Sequence, residues 1–382
     1  SNQGAYASHG HAIAANGLTS WRLQYACPNI RGEAYTIYTN TPVGGAMRGY
    51  GIPQVCFAIE SFMDDVANEI HMDPLEFRRK NLIQGYYEDA YLKPIAANTN
   101  GIFECLEKGA EYIHWDEKRK EYAEQTGDVR KGVGMALFSY KTGVWPISLE
   151  IAGARLSLNQ DGSVQLMLGA TEIGQGADTV FSQMVAEIFH TDMEHVHIKT
   201  VQDTDVSPFD TGAYASRQSF VTGTAVRHCA EILRDKILAY AKTLLPEIDT
   251  RELTLKDNWI WAGDEQAISL AALAEESYYS LTNSSVLTAE VSEQVKKNTI
   301  ATGCCFAEVE VDIKLGKIKI LHIINVHDSG KLLNPQLAEM QVHGGMSMGM
   351  GYGISEQLIL DEKTGRPLNG NLLDYKLMTM LD

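Results

Sequence analysis

The sequence predicts an α+β fold of two similar units of β-hairpins and helices, with glycine-rich loops gathered at their interface. Three observations lead there. Hairpin patterns turn at Asp161-Gly162 and at Leu315-Gly316. Each hairpin runs into a polar, glycine-containing loop and then a helical stretch, so one order of elements occurs twice. The 382 residues suffice for two or three domains, and 45% apolar with 21% charged residues is a globular composition.

Tyr35 to Thr39 (YTIYT) is β-branched and aromatic, which favours a strand. A glycine-rich turn then leads to a helix over Gln54–Ile70. Asp73-Pro74 opens the next helix, with Asp as the cap, Pro at the first helical position and Glu76 at the third. Tyr86 to Asn100 reads as a loop. Two helices follow from Ile102 to Thr126, and Gly127 marks a boundary, giving units 1–126 and 127–382. Arg155 to Leu168 is the first hairpin, followed by GATEIGQGAD and a helix. Glu308 to Val326 is the second, followed by HDSGKLLNP and a helix starting near Pro335. The basic run FRRKN, Phe77 to Asn81, is expected to cover a helix face.

A formal charge of -17 argues against a nucleic-acid partner, because phosphate neutralisation needs clustered Lys and Arg. No apolar run approaches the roughly 18 residues of a membrane helix, and the small, polar start of the chain does not resemble a signal peptide. The expected compartment is the cytoplasm. The six cysteines are scattered, apart from Cys304-Cys305, and lack zinc or iron–sulfur spacing; reduced, mostly buried thiols are expected. No phosphate-binding P-loop, H-E-x-x-H or G-x-S-x-G pattern occurs.

Three loops stand out instead. In TPVGGAMRGYGIPQ, Thr41 to Gln54, tandem glycines allow close backbone approach, Arg48 is a planar five-donor fork and Tyr50 adds an aromatic face. The same loop also fits a tight strand-to-helix turn with a surface arginine. In GATEIGQGAD, Gly169 to Asp178, Gly174 and Gly176 flank Gln175 ahead of a helix. That helix start can attract an anion and the amide can read a heterocycle edge, or the segment is a plain connection capped by Asp178. In DTGAYASRQSFVTGTAV, Asp210 to Val226, the run Ser216, Arg217, Gln218 can grip a phosphate or simply begin a helix. The later QVHGGMSMGMGYG, Gln341 to Gly353, has closely spaced glycines without a dinucleotide fingerprint. Its methionines fit core packing and His343 a structural role. Several anion-binding loops without a nucleophile or metal-ligand set describe a cradle for a large polyanionic cofactor that supplies the chemistry itself.

PNIRG from Pro28, the loop ending at Gln54 and the helix to FRRKNLI resemble the pterin-contacting segment of xanthine dehydrogenases and aldehyde oxidoreductases. DGSVQLMLGATEIGQGADTVFSQMVAEIF resembles their glycine-glutamine loop, DTGAYASRQSFVTGTAV their cofactor phosphate loop, and HDSGKLLNPQLAEMQVHGGMSMGMGYGISEQL their late glutamine-containing segment. The resemblance implies molybdenum held by a pterin dithiolene without a side-chain ligand. It implies that Ala46, Met47 and Arg48 contact the pterin and the molybdenum oxo region, and that Tyr50 stacks on substrate. Gly174 and Gln175 would contact the pterin and an oxygen ligand of molybdenum, with Arg48 and Gln175 serving catalysis. Ser216, Arg217 and Gln218 would bind the phosphate or nucleotide tail, and Gln341 would face the cofactor. The Ser-Arg-Gln pattern resembles bacterial members carrying molybdopterin cytosine dinucleotide.

Departures narrow the expectation. Asn16 falls where xanthine enzymes of mammalian type place a substrate-orienting arginine, and the active-site cysteine of carbon monoxide dehydrogenases is absent from the first loop. The upstream glycine-phenylalanine loop and the downstream segment with the catalytic glutamate are not found, so a shortened chain, or one half of a split subunit, inactive alone, is expected. The implied activity is that of a molybdenum-dependent hydroxylase acting on a purine or other N-heterocycle, its electrons leaving to iron–sulfur clusters and FAD on partner domains or chains. An aldehyde, nicotinate or hydroxybenzoyl-CoA type enzyme, and a cofactor-free fragment, remain the alternatives.

Overall fold

In a computed structural model of the chain, residues 1–20, 22–88, 94–96, 101–146, 148–199, 201–249 and 252–381 are described. The elements run β1 (Asn2–Gly4), α1 (Ile13–Ser20), β2 (Ile37–Tyr38), α2 (Ile52–Glu69), α3 (Pro74–Asn81), β3 (Tyr86–Glu88), β4 (Pro94–Ala96), α4 (Gly101–Ile113), α5 (Trp115–Tyr122) and β5 (Val129–Thr142). They continue with β6 (Ile151–Leu158), β7 (Val164–Leu168), α6 (Ala177–Phe189), β8 (Val196–Ile198), α7 (Gly223–Leu244), β9 (Leu253–Lys256), β10 (Trp259–Ala262), β11 (Glu265–Ser269) and α8 (Leu270–Tyr279). Last come β12 (Thr288–Gln294), β13 (Thr299–Asp312), β14 (Lys317–Asp328) and α9 (Pro335–Ile354).

The α+β class holds, and both hairpins turn where expected. The backbone forms two compact units, 1–141 with 300–331 and 339–382, and 142–299 with 332–338. A single cut after residue 126 does not separate them. Strand pairing is the reason: β5 joins the β13–β14 hairpin in a sheet ordered β14-β13-β5, which brings a late segment into the first unit. Within the span read as a loop, Tyr86–Glu88 and Pro94–Ala96 pair antiparallel; 89–93 and 97–100 lie outside the described residues.

The first unit has a core of Leu75, Leu82, Ile102, Leu106, Ile113, Trp115, Leu137 and Phe306, with Trp115 edge-on to Phe306 at 5.7 Å. Asp73 caps α3 as expected, its Oδ1 accepting from the amides of Leu75 and Glu76 at 2.9 and 3.2 Å. Of the basic run, Arg79 and Lys80 lie along α3 beside Glu76 as expected, but Arg78 does not. Arg78 is fully buried, donating to Glu60 Oε2 at 2.7 Å and to Asp64 Oδ1 at 2.6 Å. Glu60 also accepts from the Tyr25 hydroxyl and the Leu137 amide, so one ion cluster fastens α2, α3 and β5. A buried guanidinium is tolerable only with such pairing.

The second unit is built on a sheet ordered β12-β6-β7-β8. Its hairpin strands alternate, burying Ala154, Leu156, Leu158, Val164, Leu166 and Leu168, as a half-buried sheet requires. α6 makes the crossover from β7 to the parallel β8. α7 buries Val226, Cys229, Ala230, Leu233 and Ile237, three or four residues apart, on one stripe. The small sheet β11-β10-β9 and α8, for which the sequence offered no expectation, complete this unit.

Candidate functional site

In the first unit the loop before α2 is held from two sides. The Gly44 amide donates to Gln3 O at 2.7 Å, fixing the loop to β1. On the other side α1 forms its seat. Gly51 has φ +95°, and a Cβ there would stand 2.3 Å from Ile13 O, so only glycine fits this turn onto α2. Asn16, expected where an arginine orients substrate, donates from Nδ2 to Tyr50 O at 2.7 Å. Tyr50 itself is left-handed at φ +43°, and its hydroxyl donates to His9 O. Burial pushes its phenol upward. The residue is half-buried.

Ala46, Met47 and Arg48 follow Gly45 as an exposed run. Arg48 donates from Nη2 to Gln341 O on α9 at 2.7 Å. Among the described residues no carboxylate pairs with it. Gly344, the next turn of α9, lets the fork lie close: a Cβ there would be 3.1 Å from Nη1. This gives Gly344 a role within a helix, where a glycine costs about 0.5–1 kcal/mol against alanine. Gln341 is exposed and meets Arg48 through its backbone. Of the segment's methionines Met348 is exposed and Met346 and Met350 are half-buried, so none belongs to the buried core expected of them. His343 is also exposed, 3.7 Å from Glu339.

In the second unit the glycine-glutamine loop answers its own helix. Glu172 Oε1 accepts from the amides of Gly174 and Gly176 at 2.7 and 3.1 Å, and Oε2 from that of Asp178 at 3.1 Å. The start of α6 is thus capped by Glu172 rather than by Asp178. Burial works to raise the Glu172 carboxyl, but the amides of Asp178, Gly176, Gly174 and Ala177 outweigh it and hold it below the ordinary range. Burial, with Glu172 beside it, pushes Asp178 upward. Gly174 lies exposed at φ +99° with no atom within 4 Å of its Cβ position. The Gln175 amide donates to Thr171 O at 3.0 Å and to Gln218 Oε1 at 2.6 Å.

The Ser-Arg-Gln run divides into three environments. Ser216 is exposed and, like Ala215, left-handed, at φ +52° and +49°. Such residues cost on the order of 1–3 kcal/mol each and persist only where the surroundings hold them. What holds them is Arg217, whose side chain is 0% exposed. It donates to Glu150 Oε2 at 2.6 Å, Asp210 Oδ1 at 2.5 Å, Ile151 O at 2.7 Å and Gly212 O at 3.1 Å. The guanidinium expected to meet a phosphate is therefore sequestered within the unit. Gln218 is buried and opens a π-helical turn, Gln218–Thr222, before α7. Glu150, Asp210, Thr171 and Glu172, which organise these loops, were not singled out in the sequence. Glu150 and Arg217 are 67 residues apart, and nothing local announces the pair.

A pterin cofactor needs open backbone and outward donors. Within the first unit the exposed run after Gly45 and the fork of Arg48 fit that need, and within the second, taken by itself, the open face at Gly174 and the exposed Ser216 do. Among the described residues no group of three or more His, Cys, Asp or Glu is placed to hold a metal ion. Among them no helix is long and apolar enough to cross a membrane.

Comparison with known proteins agrees with this chemistry. Molybdopterin cofactor-binding domain patterns match residues 1–82 and 108–382. The xanthine dehydrogenase molybdenum-binding subunit of Escherichia coli O157:H7 is 46% identical over 387 residues, covering 100% of this chain and 51% of that protein. The nicotine 6-hydroxylase large subunit of Paenarthrobacter nicotinovorans is 26% identical, covering 90% of this chain and 43% of that protein. Among solved structures, quinoline 2-oxidoreductase from Pseudomonas putida 86 superposes with a TM-score of 0.88 at 22% identity, over 100% of this chain and 51% of that one. The chain spans about half the length of the curated relatives it matches.

Proposed function

We propose that this chain, which belongs to the molybdopterin cofactor-binding domain family of the xanthine dehydrogenase and aldehyde oxidoreductase type, serves a molybdenum hydroxylase that oxidises a purine or another N-heterocycle. The observation that carries the reading is Arg48: an exposed guanidinium without a carboxylate partner among the described residues, set against a glycine-rich helix face. An unneutralised fork held in place suits an anionic or oxygen-rich ligand.

Molybdopterin, when bound, supplies the redox chemistry for hydroxylating an electron-poor carbon. The chain's own groups bind and orient. Arg48 presents its remaining donors, Ala46 and Met47 offer open backbone, and Gly174 admits close approach. Ser216 is offered outward by the turn that Arg217 anchors. Tyr50, fixed by Asn16 and His9, presents an aromatic face to a flat substrate. The cytosine dinucleotide form of the cofactor and iron–sulfur and FAD partner domains or chains rest on the sequence resemblance, and a cytoplasmic setting on the polar start and scattered cysteines of the sequence.

The test is made on the full-length protein with its partner subunits. Molybdenum and pterin are expected together, with turnover of hypoxanthine or another neutral heterocycle at least equal to that of xanthine, because Asn16 carries no positive charge. Nicotinate and a simple aldehyde serve as the contrasting substrates. A protein free of molybdenum, or one turning over only the aldehyde, overturns this reading.

A further inference from the structure

Two glutamine amides and one backbone carbonyl in the second unit determine each other's orientation. Thr171 O accepts from Gln175 Nε2 and from Gln218 Nε2, each at 3.0 Å. A carbonyl can only accept, so both amides must turn their nitrogens toward it. Gln218 Oε1 then lies 2.6 Å from Gln175 Nε2 and accepts its second hydrogen. The Ile173 amide donates to Gln175 Oε1 at 2.7 Å. Both hydrogens of Gln175 are thereby used inside the unit, and the uncommitted capacity of its amide is one lone pair on Oε1. Gln218 is buried and Gln175 half-buried, so water competes little for the pair.

We propose that Gln218 is a positioning residue for Gln175, and that the amide pair makes Gln175 address its ligand as an acceptor, matched to a ring N–H. This rests on the molybdopterin reading, since a pterin carries such donors. It reassigns both residues from the roles the sequence resemblance implied. Gln218 acts through Gln175 instead of on the nucleotide tail, and Gln175 meets an N–H instead of donating to an oxygen bound to molybdenum.

The experiment uses full-length protein made with its partner subunits. It follows molybdenum by elemental mass spectrometry and pterin by fluorescence after oxidation, as cofactor is lost during dialysis. Gln218→Leu is expected to shorten retention about two- to tenfold, the worth of one neutral hydrogen bond. Adding Gln218→Leu to Gln175→Met is expected to cost nothing further, because Gln218 works through Gln175. Gln175→Glu keeps the acceptor oxygen, and its protonated acid supplies one donor in place of the amide hydrogens. It is expected to retain cofactor longer than Gln175→Met in acid and to lose that advantage as pH rises and its carboxylate opposes Thr171 O. Gln218→Glu supplies a pH signature. Its protonated acid can donate to Thr171 O while accepting from Gln175, whereas its carboxylate opposes Thr171 O. Retention should therefore fall as pH rises in this variant and stay level in the wild type; this arm decides if Gln218→Leu does not fold.

Unchanged retention in Gln218→Leu, additive losses in the double variant, a level pH profile in Gln218→Glu, or Gln175→Met outlasting Gln175→Glu in acid each overturn the proposal. Wild-type protein free of both molybdenum and pterin overturns the molybdopterin reading and this proposal with it; the other failures leave that reading standing.

Discussion

Arg48 and Arg217 sit in loops that look alike in sequence, each among small residues just ahead of a helix, yet the folded chain treats them oppositely. Arg48 is exposed and meets one backbone carbonyl, Gln341 O. Arg217 is buried and meets two carboxylates and two backbone carbonyls. The difference lies in what the fold brings beside each. Glu150 and Asp210 reach Arg217 in the second unit; among the described residues no carboxylate reaches Arg48 in the first. One arginine is thus left exposed and the other is a fastener, and nothing within either loop distinguishes them. The buried type recurs in the first unit, where Arg78 lies between Glu60 and Asp64.

The sharpest way to break this contrast is Arg217→Met. It leaves Glu150 and Asp210 buried without a cation, which should destabilise by about 3–5 kcal/mol. Chemical unfolding of the full-length protein reads it, and Arg78→Met should behave alike. A loss below about 1 kcal/mol in Arg217→Met would mean the guanidinium is dispensable to the fold and free for a ligand after all.

Arg48→Lys should do the reverse. Stability should stay within about 0.5 kcal/mol, as for a surface change. Lysine keeps the charge but not the planar fork. Losing one charge-assisted hydrogen bond costs roughly 1.5–3 kcal/mol, about a 10- to 150-fold fall in turnover or cofactor content. A destabilised protein with normal turnover would make Arg48 a fastener too.

Local signals carried the reading of the elements well. The Asp73-Pro74 start, both hairpin turns and α6 depend on neighbours in sequence, and the structure holds them as expected. Where partners are distant, the reading failed. The buried state of Arg78 follows from Glu60, eighteen residues back, and from β5 beyond it. The division into units follows from β5 pairing with the β13–β14 hairpin. β2 shrank to Ile37–Tyr38 because its partner, β1, offers only Asn2–Gly4. In the loops singled out, sequence chemistry assigned outward roles to groups that satisfy each other, as at Gln175 with Gln218, and it overlooked Glu172 at the start of α6.

That last point gives the smallest and most easily titrated effect. Glu172 is the first loop's missing counterpart: a carboxylate supplied within the loop itself, on three backbone amides. Its removal in Glu172→Ala should cost about 1 kcal/mol, as for loss of a helix cap. The cost must depend on pH. Because the folded carboxyl titrates below its ordinary value, the stabilisation is complete above the unfolded glutamate value of about 4.3. It is lost as pH falls through the depressed folded value. The gap in unfolding free energy between wild type and Glu172→Ala should therefore be full at neutral pH and close on acidification. A gap that stays constant into acid would show that Glu172 acts through packing alone. The start of α6 would then be open to an external anion, much as Arg48 is open in the first unit.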